Sequence, residues 1–260
     1  TFATLLAGLL ASAQTTAPLA PMAVDANPSF EVATIKPSAA DQRGCGFPGR
    51  GREFHAVNCS VVDLIRFAYG VQLKQIVDSP EWLDKLHYDI TGVPDAPGQP
   101  SIAQRKSMVQ KLLADRFKLT FRNEQRELPV YILSVAKTGP KLTAAKPDQA
   151  PGGVRMWMTH EGFVLAARNS SLLAFASALQ DAVFDRPVVD ETGLPGNFDF
   201  QVTFAPGGAE FGGMPVPSEM QNSTAPSIFT AVQDLGLRLD AGKHVVRVMA
   251  ITHVEKPADD

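Results

Sequence analysis

The stretch AVNCSVVDLI at residues 56–65 recurs in altered form as ARNSSLLAFA at residues 167–176. Each copy has an asparagine, and a serine two residues later, directly before an apolar run with helical spacing. Side-chain oxygens of Asn and Ser accept hydrogen bonds from the free N–H groups of a helix's first turn. Both stretches therefore predict the start of a helix, at places about 110 residues apart.

Further landmarks recur in the same order. In both halves, the predicted helix start is followed by a short β-branched stretch and then by a strand with an aspartate between aromatic or apolar residues. An amphipathic helix that runs into a strand comes next. The paired stretches are residues 75–78 with 187–190, 87–90 with 197–200, and 108–119 with 227–239. We therefore predict an α+β fold of two repeated units, each a small mixed sheet with helices packed on one face, formed by internal duplication.

Each unit is predicted to end in a polar turn and an apolar strand. The turns are expected at Asn123–Arg126 and Asp240–Lys243, and the strands at 128–135 and 245–254. The predicted organisation is a signal peptide remnant and linker at 1–28, a first unit at 29–147 and a second unit at 148–260.

Composition excludes several classes of protein. The 260 residues are 45% hydrophobic and 20% charged, with a formal net charge of −3, which is ordinary for a globular protein and not for a disordered or fibrous one. Near-neutral charge gives no electrostatic reason to expect nucleic acid as a partner. No apolar run reaches the roughly 18–20 residues that cross a bilayer, so no membrane span is predicted.

The first residues indicate export. Residues 2–10 are apolar, and Ala11, Ser12 and Ala13 follow as small residues, as in a signal peptide core with its cleavage site. The alternative is a buried helix of the mature fold. Residues 14–28 then form a Thr-, Ala- and Pro-rich linker, which favours export to the periplasm or the medium.

Cys45 and Cys59 are the only cysteines. In an oxidising compartment an isolated, even pair predicts one disulfide. It would close a loop of about 15 residues and stabilise the fold by roughly 3 kcal/mol. A metal-ligating or nucleophilic thiol is the alternative.

Several motifs together resemble a known family. The motifs are FEVATIKPS at 30–38, DLIRFAY at 63–69, RFKL at 116–119, ELPVY at 127–131, RPVVDETGL at 186–194 and NFDF at 197–200. The chain resembles, over residues 29–257, a large paralogous family of secreted proteins from soil acidobacteria that carries a domain of unknown function. The resemblance implies an exported protein and brings no catalytic residues with it.

A looser similarity rests on the pattern in which a helix and strand precede a hairpin. Leu112, Leu113 and residues 117–119 carry it in the first unit, and Val232 and residues 235–237 in the second. This pattern is similar to the short N-terminal domains of secretins and TonB-dependent receptors. The similarity implies a periplasmic domain that binds partners or signal peptides.

No catalytic motif identifies an enzyme. Gly-x-Ser-x-Gly, the zinc-binding His-Glu-x-x-His and the phosphate-binding glycine motifs are missing from the sequence, so we predict no metal and no cofactor. The weak catalytic candidates are His55, Ser79, Glu81, His87 and Asp89. Asp89 and Asp199 hold matching places in the two units; they are either a carboxylate pair for acid–base work or duplicated structural residues.

Binding candidates are equally weak. Arg50 and Arg52, in the glycine-rich loop 44–52, would either hold an anion or be solvated. Trp157 lies between Met156 and Met158 and would either line a groove or pack in the core.

Two functions are carried forward. The first is an exported binding or interaction module for an envelope protein, a peptide or a surface polymer, with strand addition at an open sheet edge as the expected mode. The alternative is an extracytoplasmic hydrolase acting on an ester, peptide or glycan bond. A nucleophile, a histidine and a carboxylate that converge in a pocket would favour the hydrolase.

Overall fold

The computed structural model describes residues 19–39, 44–48, 51–146, 148–150, 152–207, 210, 220 and 223–258. The predicted signal peptide core and its cleavage site lie outside these residues, as do Arg50 and most of the loop 205–226.

The described residues form an α+β fold, which confirms the predicted class. The first half contains strands β1 (Phe30–Pro37), β2 (Phe54–Ser60), β3 (Ile76–Val77), β4 (His87–Pro94) and β5 (Thr120–Val135), and helices α1 (Val61–Tyr69), α2 (Trp82–Lys85) and α3 (Ile102–Arg116). The second half contains strands β6 (Thr143–Ala144), β7 (Gly153–Met158), β8 (Phe163–Ser170), β9 (Val188–Asp190), β10 (Phe198–Phe204) and β11 (Leu237–His253), and helices α4 (Leu172–Ala182) and α5 (Ile228–Asp234).

Helices α1 and α4 begin where the repeated asparagine–serine pattern predicts. The Ser60 hydroxyl accepts a hydrogen bond from the Asp63 N–H at 3.1 Å, and the Ser171 hydroxyl accepts one from the Ala174 N–H at 3.2 Å. Both serines are N-caps with extended backbone. No helix in the described part of the chain is long and apolar enough to cross a membrane.

The first half packs its helices against a three-stranded sheet of order β1-β4-β2. Alternate residues of β4 are buried, so one sheet face meets the helices and the other meets solvent. The core brings Ile35, Phe54 and Ile90 from the strands against Leu64 of α1 and Leu113 of α3. Each of these side chains is at most 2% exposed.

The second half has a four-stranded sheet of order β6-β10-β8-β7. Its core joins Leu165 of β8 and Val202 of β10 with Phe175 and Leu179 of α4 and Val232 of α5. The order of a strand, a helix, a short strand, a strand, a helix and a long strand is therefore common to β2–β5 and β8–β11, except that the first half also has a helical turn at Leu73–Gln75 and the short helix α2.

The longest strands join the halves. β5 and β11 pair antiparallel along their whole length, from Thr120 opposite His253 to Val135 opposite Leu237. β3 adds to β11 and β9 to β5, both in parallel, which gives a sheet of order β3-β11-β5-β9. Each long strand has one end in the first core and the other end in the second.

The predicted polar turns at Asn123–Arg126 and Asp240–Lys243 are wrong. Both stretches continue as strand within β5 and β11. They are polar because they lie in the mostly exposed middle of the paired strands β5 and β11. Pairing between the halves decides their conformation, and the local polar composition does not.

The predicted disulfide between Cys45 and Cys59 is confirmed. Cys59 lies on β2 and is fully buried, so the bond attaches the glycine-rich segment to the first core. Backbone hydrogen bonds between Gly46 and Val57, at 2.8 and 3.0 Å, support the same attachment.

Candidate functional site

The histidines proposed for catalysis lie on the outer face of the first sheet. His55 Nε2 is 3.2 Å from the Glu53 carboxylate, and His55 Nδ1 is 3.4 Å from the Thr91 hydroxyl. His87 is exposed at the start of β4, two residues before Asp89. Within the described residues, no hydrogen bond joins either histidine to Asp89.

Ser79 and Glu81 lie in and after the exposed turn that leads from β3 to α2. Glu81 forms an exposed ion pair with Lys85, at 2.6 Å. In the part of the chain that the structure describes, neither side chain hydrogen-bonds to a histidine. The five catalytic candidates are therefore not assembled into a nucleophile–histidine–carboxylate set.

The carboxylates of Asp89 and Asp199 accept hydrogen bonds from the backbone of their own sheets. Asp89 Oδ1 accepts the N–H of Asn58 at 2.8 Å, and Asp199 Oδ1 accepts the N–H of Asn169 at 2.7 Å. Both asparagines have a left-handed backbone, with φ of 53° and 41°, at the point where the strand register shifts. Each aspartate therefore stabilises an irregular strand end.

All five histidines are at least partly exposed. They are His55, His87, His160, His244 and His253. The described residues contain no group of three or more His, Cys, Asp or Glu side chains that could hold a metal ion.

Arg52 stabilises the glycine-rich segment by contact with the end of β4. Its guanidinium donates to the carbonyl oxygen of Pro94 at 2.6 Å and to that of Ala96 at 3.4 Å. Two of its nitrogens are thus engaged within the fold. Arg50 lies outside the described residues.

Trp157 lies on β7, the strand at one edge of the second sheet. Its side chain is 44% exposed and that of Met158 is 54% exposed. β7 pairs with β8, and no described strand pairs with its other side. The backbone N–H and C=O groups of an edge strand are available to a further strand.

A groove of about 510 Å³ lies beside Trp157 on the outer face of this sheet. The strand register places Arg155, Ala166 and Gln201 in one row across β7, β8 and β10, and Gly153 opposite Arg168 in another. The small residues Gly153 and Ala166 leave space on the face, and the long side chains border it. We call this feature the Arg155–Arg168 groove.

The groove is positively charged. Among the described residues, the guanidinium groups of Arg155 and Arg168 have no hydrogen-bond or ion-pair partner. Trp157 is two residues from Arg155 on the same face of β7, about 7 Å along the strand. Arginine binds carboxylates through two parallel hydrogen bonds, and an exposed indole adds a flat apolar surface. This arrangement is suited to an extended, acidic, partly apolar segment.

Comparison with known proteins places the chain in a family. It matches the family described as protein of unknown function (DUF3738) over residues 62–254. The chain is a member of DUF3738. No curated protein and no solved structure matches it. The matched range of the DUF3738 chain runs from α1 to the end of β11 and includes every residue of the Arg155–Arg168 groove.

Sequence reasoning found Trp157 in the DUF3738 chain but missed its neighbours in the groove. Arg155 was the detectable one, because it lies two residues from Trp157 and alternation along a strand puts the two on one face. Arg168 and Gln201 depend on the register of three strands, and no local pattern in the sequence specifies that register.

Proposed function

We propose that this DUF3738 chain is an exported binding module that captures an extended acidic segment of an envelope protein at the Arg155–Arg168 groove. The observation that carries the proposal is the pair of unpartnered arginines beside the open edge of β7. The edge supplies backbone hydrogen bonds by strand addition, and the arginines select acidic side chains. Location in the periplasm or outside the cell is part of the proposal.

The disulfide supports this location, because disulfides persist in oxidising compartments. The resemblance of several motifs to those of secreted acidobacterial proteins, and the looser likeness to secretin and TonB-dependent receptor domains, favour the same setting. Export predicts that mass spectrometry of the exported protein finds an N-terminus near Gln14. An N-terminus that retains the apolar residues 2–10 would contradict it.

The binding proposal is tested with a fluorescein-labelled peptide of alternating glutamate and valine, measured by fluorescence anisotropy. We expect binding that weakens as salt is added, since exposed charge pairs are screened. The double variant Arg155→Gln, Arg168→Gln should bind at least tenfold more weakly, because each charge-assisted hydrogen bond contributes about 1.5–3 kcal/mol.

Arg247→Gln is the matched control, because Arg247 is an exposed arginine on β11 outside the groove. It should bind the acidic peptide as the unmodified protein does. The proposal would be refuted if the protein bound a peptide with lysine in place of glutamate as tightly as the acidic peptide. It would also be refuted if the double variant bound the acidic peptide as tightly as the unmodified protein does. So would binding of an acidic polysaccharide such as alginate in the absence of peptide binding.

The hydrolase alternative has no specific observation in its favour among the described residues. None of its candidate residues lines the Arg155–Arg168 groove. Turnover of a chromogenic ester, peptide or glycoside that survives purification, and is lost on His55→Ala or Asp89→Ala, would reverse the preference.

A further inference from the structure

A second cleft, of about 350 Å³, lies where the two halves of the molecule meet. It shares no lining residue with the Arg155–Arg168 groove. Helices α1 and α3 of the first half and the end of α4 of the second half contribute its charged side chains. These are Asp63, Arg66, Lys106 and Asp181.

Gln72 positions one side of this inter-half cleft. Helix α1 ends at Gly70 in a left-handed conformation, and the chain then turns towards α4. Gln72 is 2% exposed, and its amide donates to the carbonyl oxygen of Gln180 at 2.6 Å and to Asp181 at 3.5 Å. The position of the cleft is thus determined by a contact between the halves.

The two cations of the cleft have unused hydrogen-bonding capacity. Arg66 Nη1 is 3.7 Å from Asp63, and Arg66 Nη2 donates to Gln72 at a long 3.4 Å. Arg66 Nε is buried and has no hydrogen-bond partner. Lys106 forms no hydrogen bond or ion pair with any described residue.

The two carboxylates of the cleft are less available. Asp63 Oδ2 accepts hydrogen bonds from the backbone and the hydroxyl of Ser60, at 3.0 and 2.9 Å. Asp181 is exposed as a residue, but partial burial of its carboxylate raises the pKa of this group. The positive charge of Lys106 opposes that rise. The available donors therefore exceed the acceptors, so the cleft is suited to an anion.

An aromatic surface forms another wall. Phe47 and Phe67 stack with ring centroids 4.6 Å apart, and Phe47 is 39% exposed. The Cys45–Cys59 disulfide holds the segment that carries Phe47. The cleft is therefore lined both by charged side chains and by aromatic rings.

We infer that the inter-half cleft binds the carboxylate of a small ligand that has an aromatic or aliphatic body. The carboxylate oxygens accept hydrogen bonds from the terminal nitrogens of the Arg66 guanidinium and from the ammonium of Lys106. The apolar body packs against Phe67 and Phe47. Cleft size fits this class, since small-molecule sites begin at about 300 Å³.

Calorimetric titration of the full chain with N-acetylphenylalanine, and with its neutral amide, tests the inference. The two probes differ only in the carboxylate. We expect the acid to bind at least tenfold more tightly than the amide, because only the acid offers charged acceptors to Arg66 and Lys106. Equal affinities, or no binding of the acid, would overturn the inference.

Lys106→Gln should weaken binding of the acid about fivefold or more and change the melting temperature little, because Lys106 forms no hydrogen bond or ion pair with any described residue and its charge acts on Asp181 only at longer range. Lys36→Gln is the control: Lys36 is an exposed lysine on the first sheet, outside the cleft. If the two variants bind the acid alike, the cleft is not the site. Binding of the acidic peptide to the Arg155–Arg168 groove should be unaffected by Lys106→Gln. The experiment therefore distinguishes failure of the proposal for the cleft from failure of the proposal for the groove.

The pH dependence has a defined sign. Asp181 faces Lys106 on α3, and Arg66 and Asp63 on α1. As the pH falls through the pKa of Asp181, which is raised above that of an ordinary aspartate, this carboxyl loses its negative charge before the ligand carboxylate, with an ordinary pKa of about 3.5, is protonated. Affinity for the acid should therefore rise as the pH falls through the pKa of Asp181. Asp181→Asn should bind more tightly at pH 7 and lose this dependence; weaker binding by this variant would contradict the assignment.

Discussion

At the residue scale, Asp89 and Asp199 show how one carboxylate can stabilise an unusual backbone. Asp89 Oδ1 also accepts the Ser38 hydroxyl, at 2.7 Å, and Asp199 Oδ1 accepts the Gln149 amide, at 3.1 Å. Each carboxylate thus joins a left-handed asparagine to a second part of its own half. Two hydrogen bonds to one charged oxygen explain why aspartate is needed at these positions without any chemical step.

Asp89→Ala and Asp199→Ala should each lower the free energy of unfolding by about 1–3 kcal/mol, because the N–H of Asn58 or Asn169 loses its acceptor. Urea denaturation measures the effect. Asp240→Ala is the matched control, since the side chain of Asp240 forms an ion pair with Arg238 at the surface and no other hydrogen bond or ion pair with the described residues, and its effect should stay within about 0.5 kcal/mol. Losses at Asp89 and Asp199 no larger than that of the control would contradict the structural role.

Local signals explain what the sequence could predict at this scale. The N-caps Ser60 and Ser171 bond to N–H groups three residues away, so the pattern contains the whole interaction. Arg66, Lys106 and Asp181 come from three helices far apart in the chain. Their proximity depends on how the halves pack, which no spacing in the sequence encodes.

At the element scale, β5 and β11 show that pairing between distant strands overrides the local preference of a sequence for a turn. The helices, short strands and aspartate-containing strands follow from periodicity and capping. The stretches Asn123–Arg126 and Asp240–Lys243 are polar and resemble turns, yet each pairs in register with the opposite long strand. The partner strand lies over one hundred residues away, which is why the sequence alone misplaces them.

The disulfide is the covalent bond that attaches the glycine-rich segment to β2. Replacing both cysteines, as in Cys45→Ser, Cys59→Ser, should lower the free energy of unfolding by about 2–4 kcal/mol, because the unfolded chain regains the entropy of a loop of about 15 residues. Urea denaturation with and without reductant measures this. Reductant should destabilise the unmodified protein by a similar amount and leave the double variant unchanged; no effect on the unmodified protein would refute the prediction.

At the scale of the whole molecule, both long strands cross from one core to the other. Removing either half would leave β5 or β11 without its partner, so the two cores should unfold together. We infer that the two halves arose by duplication, as their common element order and their matching Asp–Asn contacts support. An experimental structure in which residues 54–135 and 163–253 do not superpose would contradict the duplication.

The two tryptophans test joint unfolding, because Trp82 packs on the first core and Trp157 lies in the second half. Trp157→Phe leaves fluorescence from Trp82 alone, and Trp82→Phe leaves that from Trp157. Both reporters should give the same urea midpoint. Leu113→Ala, in the first core, should lower the free energy of unfolding by about 2–5 kcal/mol and move both midpoints together. A Trp157 signal that is unaffected by Leu113→Ala would show that the halves unfold independently.

Hydrogen exchange on the whole protein, with and without the glutamate–valine peptide, tests the proposed binding mode most directly. Strand addition predicts that backbone amides of β7 exchange more slowly when the peptide is bound, because edge groups that face solvent acquire hydrogen-bond partners. Amides of β1, an edge strand of the first sheet, should be unchanged. A bound peptide that protects β1 or another surface and leaves β7 exchanging as before would contradict the account.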